Sequence, residues 1–344
     1  MKRAALFLIL GIFSVLAAAA IASLGHSAAA RSAAGEEKFV LVVHGGAGNW
    51  KTESPEQLDA DKAAINKAAE TGYKILSSGG SSLDAVEATL RVMEDSGLFD
   101  AGRGGYYDRD GVPELDSAIM DGRTLGAGAV AAVKHIANPI SLARLVMEKT
   151  PHVLLVGDGA EQFAKSQGIE LVSPYYFYNE RYWKMFQEMK AKEKNKSAQL
   201  PGNDRKVYGT VGAVALDQAG NLAAGTSTGG TPLKMPGRVG DSPIIGAGTY
   251  ANNDSCGISG TGVGEFYIRN TVAADICARV RYLHVSLQQA ADDVVMKELV
   301  QQKGEGGVIG LDPKGHVATP FNSNGMLRAT VTDGGKITVK VFNE

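Results

Sequence analysis

Tyr208-Gly209-Thr210-Val211-Gly212-Ala213-Val214-Ala215-Leu216-Asp217 is the stretch on which the fold turns. Gly225-Thr226-Ser227-Thr228-Gly229-Gly230 follows it, and Pro236-Gly237-Arg238-Val239-Gly240-Asp241 closes it. Residues 211–216 read as a buried strand, Asp217-Gln218-Ala219-Gly220 as a turn and 222–227 as the returning strand. Buried strands joined by glycine turns would account for the spacing alone. The polar groups ask for more. Glycines let a backbone approach a ligand closely, and Thr and Ser hydroxyls attack or hydrogen-bond. Arg238, three residues before Asp241, offers a zwitterion both charges it needs.

Upstream, residues 39–43 form a short apolar run ending on His44-Gly45-Gly46-Ala47-Gly48-Asn49, the pattern of a buried strand entering a tight turn. Residues 55–78 read as a helix opened by Pro55, and a second helix runs over 82–93, capped by Ser81 or Ser82. Residues 115–120 and 125–133 read as a hairpin turned at Asp121-Gly122. A helix over 139–149, a strand over 153–156 and a helix over 160–167 follow. Downstream, 244–247 and 257–259 read as strands and 265–281 and 287–302 as helices. Strands over 307–311, 317–319, 327–332 and 337–342 end the chain. This order is that of two sheets with helices outside them.

The 344 residues are 44% hydrophobic, enough to bury a sizeable core. The 43 glycines exceed the usual share of about 7% and have no collagen period, so they mark turns and close backbone contacts. With 35 basic and 37 acidic residues, the net charge of −2 gives no case for nucleic acid or an anionic membrane as partner. The basic run from Lys184 to Arg205 reads as a fraying helix and then a mobile linker over about 184–209. Cys256 and Cys277 are the only cysteines, which argues against a disulfide framework or a structural zinc site, and their spacing leaves open whether they pair. Residues 1–34 have the layout of a secretory signal peptide: Lys2 and Arg3, an apolar run over 4–24, then small residues, with cleavage after Ala30 or Ala34. The apolar run is long for a signal, and an uncleaved anchor would read the same way. Either way the body is exported, periplasmic or secreted, and no later segment is apolar enough to span a membrane.

Two chemistries fit the central stretch. Gly225-Thr226-Ser227-Thr228-Gly229 matches the G-x-S-x-G of serine hydrolases, and His44-Gly45-Gly46 matches the oxyanion motif of lipases and esterases. A nucleophile elbow must open a helix, however, and Thr231-Pro232-Leu233-Lys234-Met235-Pro236-Gly237 cannot be one. The triad would need Asp241 or Asp292 and then His316, without supporting context. The second chemistry puts the nucleophile at Thr210. If the Gly209–Thr210 bond is cut, Thr210 carries a free α-amine beside its own hydroxyl. An α-amine titrates near ~7.7–8.0. A useful fraction is then neutral at physiological pH and takes the hydroxyl proton without a histidine.

The ordered motifs His44-Gly45-Gly46-Ala47-Gly48, Met120-Asp121-Gly122-Arg123-Thr124-Leu125, Asn138-Pro139, Ser173-Pro174, Gly209-Thr210-Val211-Gly212, Thr226-Ser227-Thr228-Gly229-Gly230, Gly237-Arg238-Val239-Gly240-Asp241-Ser242-Pro243 and Gly246-Ala247-Gly248-Thr249-Tyr250-Ala251-Asn252-Asn253 carry a resemblance. Nearly everything after residue 38 resembles the plant-type L-asparaginase / isoaspartyl peptidase family of N-terminal-nucleophile hydrolases. The resemblance implies an α+β fold, a four-layer αββα sandwich, made as an inactive precursor. It implies autocleavage at Gly209-Thr210 into an α subunit over 35–209 and a β subunit over 210–344, together one structural domain, and a homodimer of such αβ units. Carried over residue by residue, Thr210 is the nucleophile and Thr228 its activating partner. Arg238 pairs with the substrate α-carboxylate, Asp241 with the α-ammonium. Thr261 and Gly262 form the oxyanion hole, and Gly264 belongs to the substrate loop. The implied substrates are L-asparagine and β-aspartyl dipeptides, cleaved through a β-aspartyl ester on Thr210.

The chain departs from the family pattern twice. The common T-G-T-G reads Thr261-Gly262-Val263-Gly264, losing a hydroxyl at Val263, and the common F-N-A-G reads Phe99-Asp100-Ala101-Gly102. The latter loop resembles the family's sodium site, implying Na⁺ or K⁺ held by the carbonyls of Met93, Glu94, Ser96, Phe99, Ala101 and Arg103. No organic cofactor is implied. Two other functions stay open on the residues: a glycosylasparaginase-type amidase, and a catalytically silent amino-acid-binding relative.

Overall fold

Alternation along the strands sets the layers. In β1 (Val40–Gly48), Leu41 and Val43 join a core with Ile65 and Leu76 of α1 (Pro55–Ser77) and Val86 and Leu90 of α2 (Ser82–Ser96). Val40 and Val42 point the other way and pack with Val214, Leu216, Ile309 and Leu311. A period of two thus buries one strand on both faces. Each such side chain contributes about 1.5–3 kcal/mol, so burial dominates over a helix cap worth about 1 kcal/mol. The caps are nevertheless in place: Ser54 accepts from the Gln57 N–H and Ser81 from the Asp84 N–H.

The computed structural model describes residues 38–195 and 209–343; residues 1–34, expected to be a signal peptide, and half of the expected linker over 184–209 lie outside the described residues. The first sheet adds β2 (Leu115–Asp121), β3 (Ala127–Val133), β4 (Leu154–Val156), β5 (Val211–Leu216), β6 (Leu222–Thr228), β11 (Gly325–Thr332) and β12 (Thr338–Lys340). Its order is β12-β11-β1-β5-β6-β2-β3-β4. The second holds β7 (Thr249–Ala251), β8 (Gly257–Gly262), β9 (Gly306–Leu311) and β10 (Val317–Ala318), in the order β10-β9-β8-β7. Helices α1, α2 and α3 (Pro139–Lys149) cover the first sheet. A third core, with Ile258 and Val308, packs α7 (Val272–Leu283) and α8 (Leu287–Asp292) on the second. Helix, sheet, sheet, helix is the four-layer αββα sandwich. Among the described residues no helix is long and apolar enough to cross a membrane.

Several boundaries differ from the sequence reading, each for a contact that local pattern does not carry. β1 does not turn at His44. It continues through a bulge between His44 and Ala47, because Ala47 and Gly48 still pair with Met326 and Gly325. His44 is therefore a buried mid-strand residue whose Nε2 meets Ser259 Oγ at 3.0 Å, and burial pushes its imidazole down to about 3. Residues 244–247 form turns rather than a strand; the Ile244 N–H bonds back to Asp241 O. The helix expected over 265–281 is two: α6 (Gly264–Asn270) and α7, broken at Thr271 with φ +46°. The first N–H groups of α7 are taken by outside carbonyls, Ala273 to Ala247 O and Ala274 to Gly246 O. The helix after Leu287 passes through a π-helical segment, Asp293–Glu298.

The fraying helix expected ahead of the linker is α5 (Glu180–Asn195), which runs through residues 184–195 and whose Tyr182 and Trp183 pack edge-on against Tyr106 and Tyr107. β4 leads into α4 (Gly157–Ser166), slightly ahead of the expected start. Cys256 and Cys277, whose spacing was uninformative, form a buried disulfide joining the start of β8 to α7.

Candidate active site

The register of the first sheet assembles the site. Val211 pairs with Ser227 across β5 and β6, which sets Thr210 beside Thr228. Thr210 Oγ1 donates to Thr228 Oγ1 at 3.1 Å. Thr228 Oγ1 also accepts from the Gly230 N–H at 2.9 Å and donates to Asp100 Oδ2 at 3.1 Å. A hydroxyl has one donor and two acceptor lone pairs, so Thr228 is fully used. Asp100 is held in turn: its Oδ1 accepts from the N–H groups of Tyr106 and Gly229. Burial lifts its carboxyl to about 7 against these hydrogen bonds.

The Gly209–Thr210 peptide sits under strain. Thr210 has φ +64°, where a β-branched residue is a true outlier, at about 1–3 kcal/mol. Gly46, at φ +106°, presses on the same peptide: a Cβ there would lie 2.2 Å from Gly209 O. Only glycine tolerates both that dihedral and that approach. Thr261 Oγ1 donates to Gly209 O at 3.0 Å and accepts from the Ala47 N–H at 3.1 Å, so the bulged strand aims the hydroxyl at the carbonyl. Gly262 follows it at the end of β8, paired with Gly306.

On the other side, Arg238 and Asp241 converge. A Cβ on Gly264 would come 2.8 Å from Asp241 Oδ1 and 3.0 Å from Arg238 Nη2. The missing side chain thus leaves space between a cation and a carboxyl. Asp241 Oδ2 is buried without a hydrogen-bond partner among the described residues. Burial raises its carboxyl to about 7, with Arg238 pulling it down and Glu265 and Asp116 pushing it up. Glu265 grips Arg238 with both oxygens, from Nε and Nη2, each at 3.1 Å.

The serine-hydrolase reading fails here. The Ser227 hydroxyl is donated to Glu94 Oε1 at 2.6 Å, and His316 pairs with Asp312 at the surface. The loop over 93–103 is folded tightly onto its own carbonyls. A Cβ on Gly104 would lie 1.9 Å from Phe99 O, and one on Gly102 2.5 Å from Glu94 O. Met93 O accepts from Ser96 Oγ, Phe99 O from the Ala101 N–H and Ala101 O from the Gly104 N–H. Carbonyl oxygens are the kind of ligand a hard cation takes. No cluster of metal-ligating His, Cys, Asp or Glu occurs among the described residues.

Of the residues expected to form the site, Thr261 lies against the Gly209–Thr210 peptide with Thr228 bonded to Thr210, Gly262 follows Thr261 in β8, and Arg238 and Asp241 meet at Gly264. Asp100, Ala47 and Glu265 also belong to these contacts and carry no motif that marks them for it; Asp100 is visible in the sequence only as a departure from the family pattern. The asparaginase family profile matches residues 37–341. An isoaspartyl peptidase of Salmonella typhimurium is 48% identical over 311 residues, 89% of this chain and 99% of that protein. An isoaspartyl peptidase of Escherichia coli is 46% identical over 314 residues, covering 89% and 97%. An isoaspartyl peptidase/L-asparaginase of Bos taurus is 44% identical over 300 residues, covering 86% and 94%. A match of this extent, on a fold whose layers and central threonine the sequence already implied, has one reading: the chain belongs to the asparaginase family.

Proposed function

We propose that the protein is an exported isoaspartyl peptidase and L-asparaginase that cuts itself at Gly209-Thr210. The observation that carries this reading is Thr261 Oγ1 donating to the carbonyl of a strained Gly209–Thr210 peptide. In the uncut chain, Thr210 Oγ1 attacks that carbonyl carbon, the C–N bond breaks, and the amine keeps the proton the hydroxyl loses. Water then hydrolyses the ester, freeing the Gly209 carboxylate and restoring the Thr210 hydroxyl beside its now free α-amine. In the cut enzyme the amine takes the Thr210 hydroxyl proton and Oγ1 attacks the side-chain carbonyl of the substrate. Thr261 Oγ1 and the Gly262 N–H face the developing oxyanion. The leaving amine receives the proton, and water releases L-aspartate from the ester. Arg238 and Asp241 fix the α-carboxylate and α-ammonium. The relatives' names support the substrate class.

The charged, apolar and small-residue layout of residues 1–34 supports export, as does the buried disulfide, a bond of oxidising compartments. The carbonyls of Met93, Glu94, Ser96, Phe99, Ala101 and Arg103 would hold Na⁺ or K⁺, which would stiffen the loop from which Asp100 reaches Thr228. Two αβ units would pair as a homodimer, the assembly the resemblance implies.

A denaturing gel tests the self-cleavage: two fragments are expected, the smaller beginning at Thr210. Ammonia release from L-asparagine and leucine release from a β-aspartyl-leucine dipeptide test the activity. A single lasting band with neither product overturns the proposal. Turnover of a glycosylated asparagine in preference to both would move the chain to the glycosylasparaginase type.

Asp241 gives the pH dependence its sign. Its carboxyl is raised to about 7, and only the ionised form attracts an ammonium group. Binding is therefore kept above that value and lost as pH falls. KM for asparagine is expected to rise about tenfold per pH unit below 7. A KM flat from pH 5 to 8 would count against this role of Asp241.

A further inference from the structure

We propose that Glu265 is a positioning residue for substrate recognition: it holds the Arg238 guanidinium edge-on so that the side carrying Nη1 faces the substrate α-carboxylate. The inference rests on the function proposed above and deepens it.

The geometry of the fork carries the argument. A guanidinium has five N–H groups in one plane and offers a carboxylate two different two-pronged edges. Glu265 takes the Nε and Nη2 edge, at 3.1 Å on each prong. The other edge, Nη1 with the second N–H of Nη2, is thereby turned toward the glycines around the site. A Cβ on Gly240 would lie 2.8 Å from Nη1, and the Cβ that Gly264 lacks would lie between Nη2 and Asp241. The two carboxylates, that of Glu265 and that of the substrate, thus use different edges and do not exclude each other.

Glu265 has a second effect of opposite sign, since its charge cancels part of Arg238's pull on an anion. The burial of the two partners decides between them. The Glu265 side chain is 56% exposed and that of Arg238 17%. A charge so open to water acts weakly at a distance, whereas the direct bidentate contact fixes the plane of a long side chain with many rotamers. Orientation therefore outweighs cancellation. The position of Glu265 in the chain makes the contact local. It follows Gly264 in the first turn of α6, and α6 begins where β8 delivers Thr261 and Gly262. One short connection thus carries the oxyanion groups, the space for the substrate and the brace on its carboxylate clamp.

The test compares Glu265→Ala and Glu265→Gln with the wild type on two amides, L-asparagine and β-alaninamide, which is asparagine without its α-carboxylate. For asparagine, Glu265→Ala is expected to raise KM about tenfold, the cost of one side chain left to be ordered by the ligand. Its kcat should stay within about twofold, as for a lost binding contact. Glu265→Gln keeps one acceptor for Arg238 and should fall between. For β-alaninamide, kcat/KM should be the same in all three proteins, because the edge that Glu265 presents has nothing to hold. An unchanged KM for asparagine overturns the inference, as does an equal loss on both amides, which would mean general damage to the site. Self-cleavage of each variant on a gel verifies folding. Failure of the underlying reading would look different: the wild type itself would then release no ammonia from asparagine.

Discussion

The Thr210→Ala protein is expected to remain a single chain and to release no ammonia from asparagine. Both losses follow from one atom. Oγ1 is the group that attacks Gly209 in the uncut chain and the substrate afterwards, so its removal ends both reactions. Loss of a catalytic nucleophile costs on the order of 10⁶ in kcat, which puts any residue of activity below detection. The fold should survive. The Thr210 hydroxyl donates one bond, to Thr228, and Thr228 keeps its own partners in Asp100 and Gly230. Thr210→Ser is the companion variant: it keeps the hydroxyl and relieves the β-branch at φ +64°, so it should still cut itself. Mass spectrometry of the purified proteins reads the outcome. Cleavage at Gly209–Thr210 in the alanine variant would mean an outside protease, and would sink the self-cutting mechanism.

The layers were legible because their signals are local, and the residues expected at the site because they match a family's motifs, not because local pattern shows their contacts. Residues 211–216 read as a strand with no boundary error, and so does the helix Pro139–Lys149 that its proline opens. Strand alternation and helix caps depend on neighbours a few residues apart. The partners that complete the site do not. Asp100 meets Thr228 across 128 residues of sequence, Thr261 meets Gly209 across 52, and the Ala47 N–H meets Thr261 across 214. No periodicity records such contacts. The helix break at Thr271 was hidden for the same reason, since apolar Ile268, Val272 and Ile276 continue one helical stripe while distant carbonyls of Gly246 and Ala247 capture the second helix's first N–H groups. The departures from the family pattern were visible as letters, but only the structure gives one of them a place. Asp100 stands at the end of the hydroxyl chain from the nucleophile, and burial there lifts its carboxyl toward neutrality.

Thr261→Val tests the other half of the chemistry, the stabilisation of the oxyanion. Valine matches threonine in shape, so the variant changes hydrogen bonding and little else. Two bonds disappear: the one donated to Gly209 O and the one accepted from the Ala47 N–H. The first is the functional loss. A donor aimed at a developing oxyanion is worth about 10²–10³ in rate, so self-cleavage in a gel time course should slow by that factor. Turnover of asparagine by whatever fraction has matured should fall by a similar amount. The second loss leaves the buried Ala47 N–H without its partner, at about 1–3 kcal/mol. A lower melting temperature is therefore expected alongside, with the folded state intact at room temperature. Thr261→Ser restores both bonds and should recover most of the rate. The two readouts separate the roles. If cutting slows but the matured enzyme turns over normally, Thr261 serves the precursor alone, and the substrate oxyanion must rest on Gly262. If neither slows, the hydroxyl at Gly209 O is a bystander, and strain at Thr210 suffices for the cut.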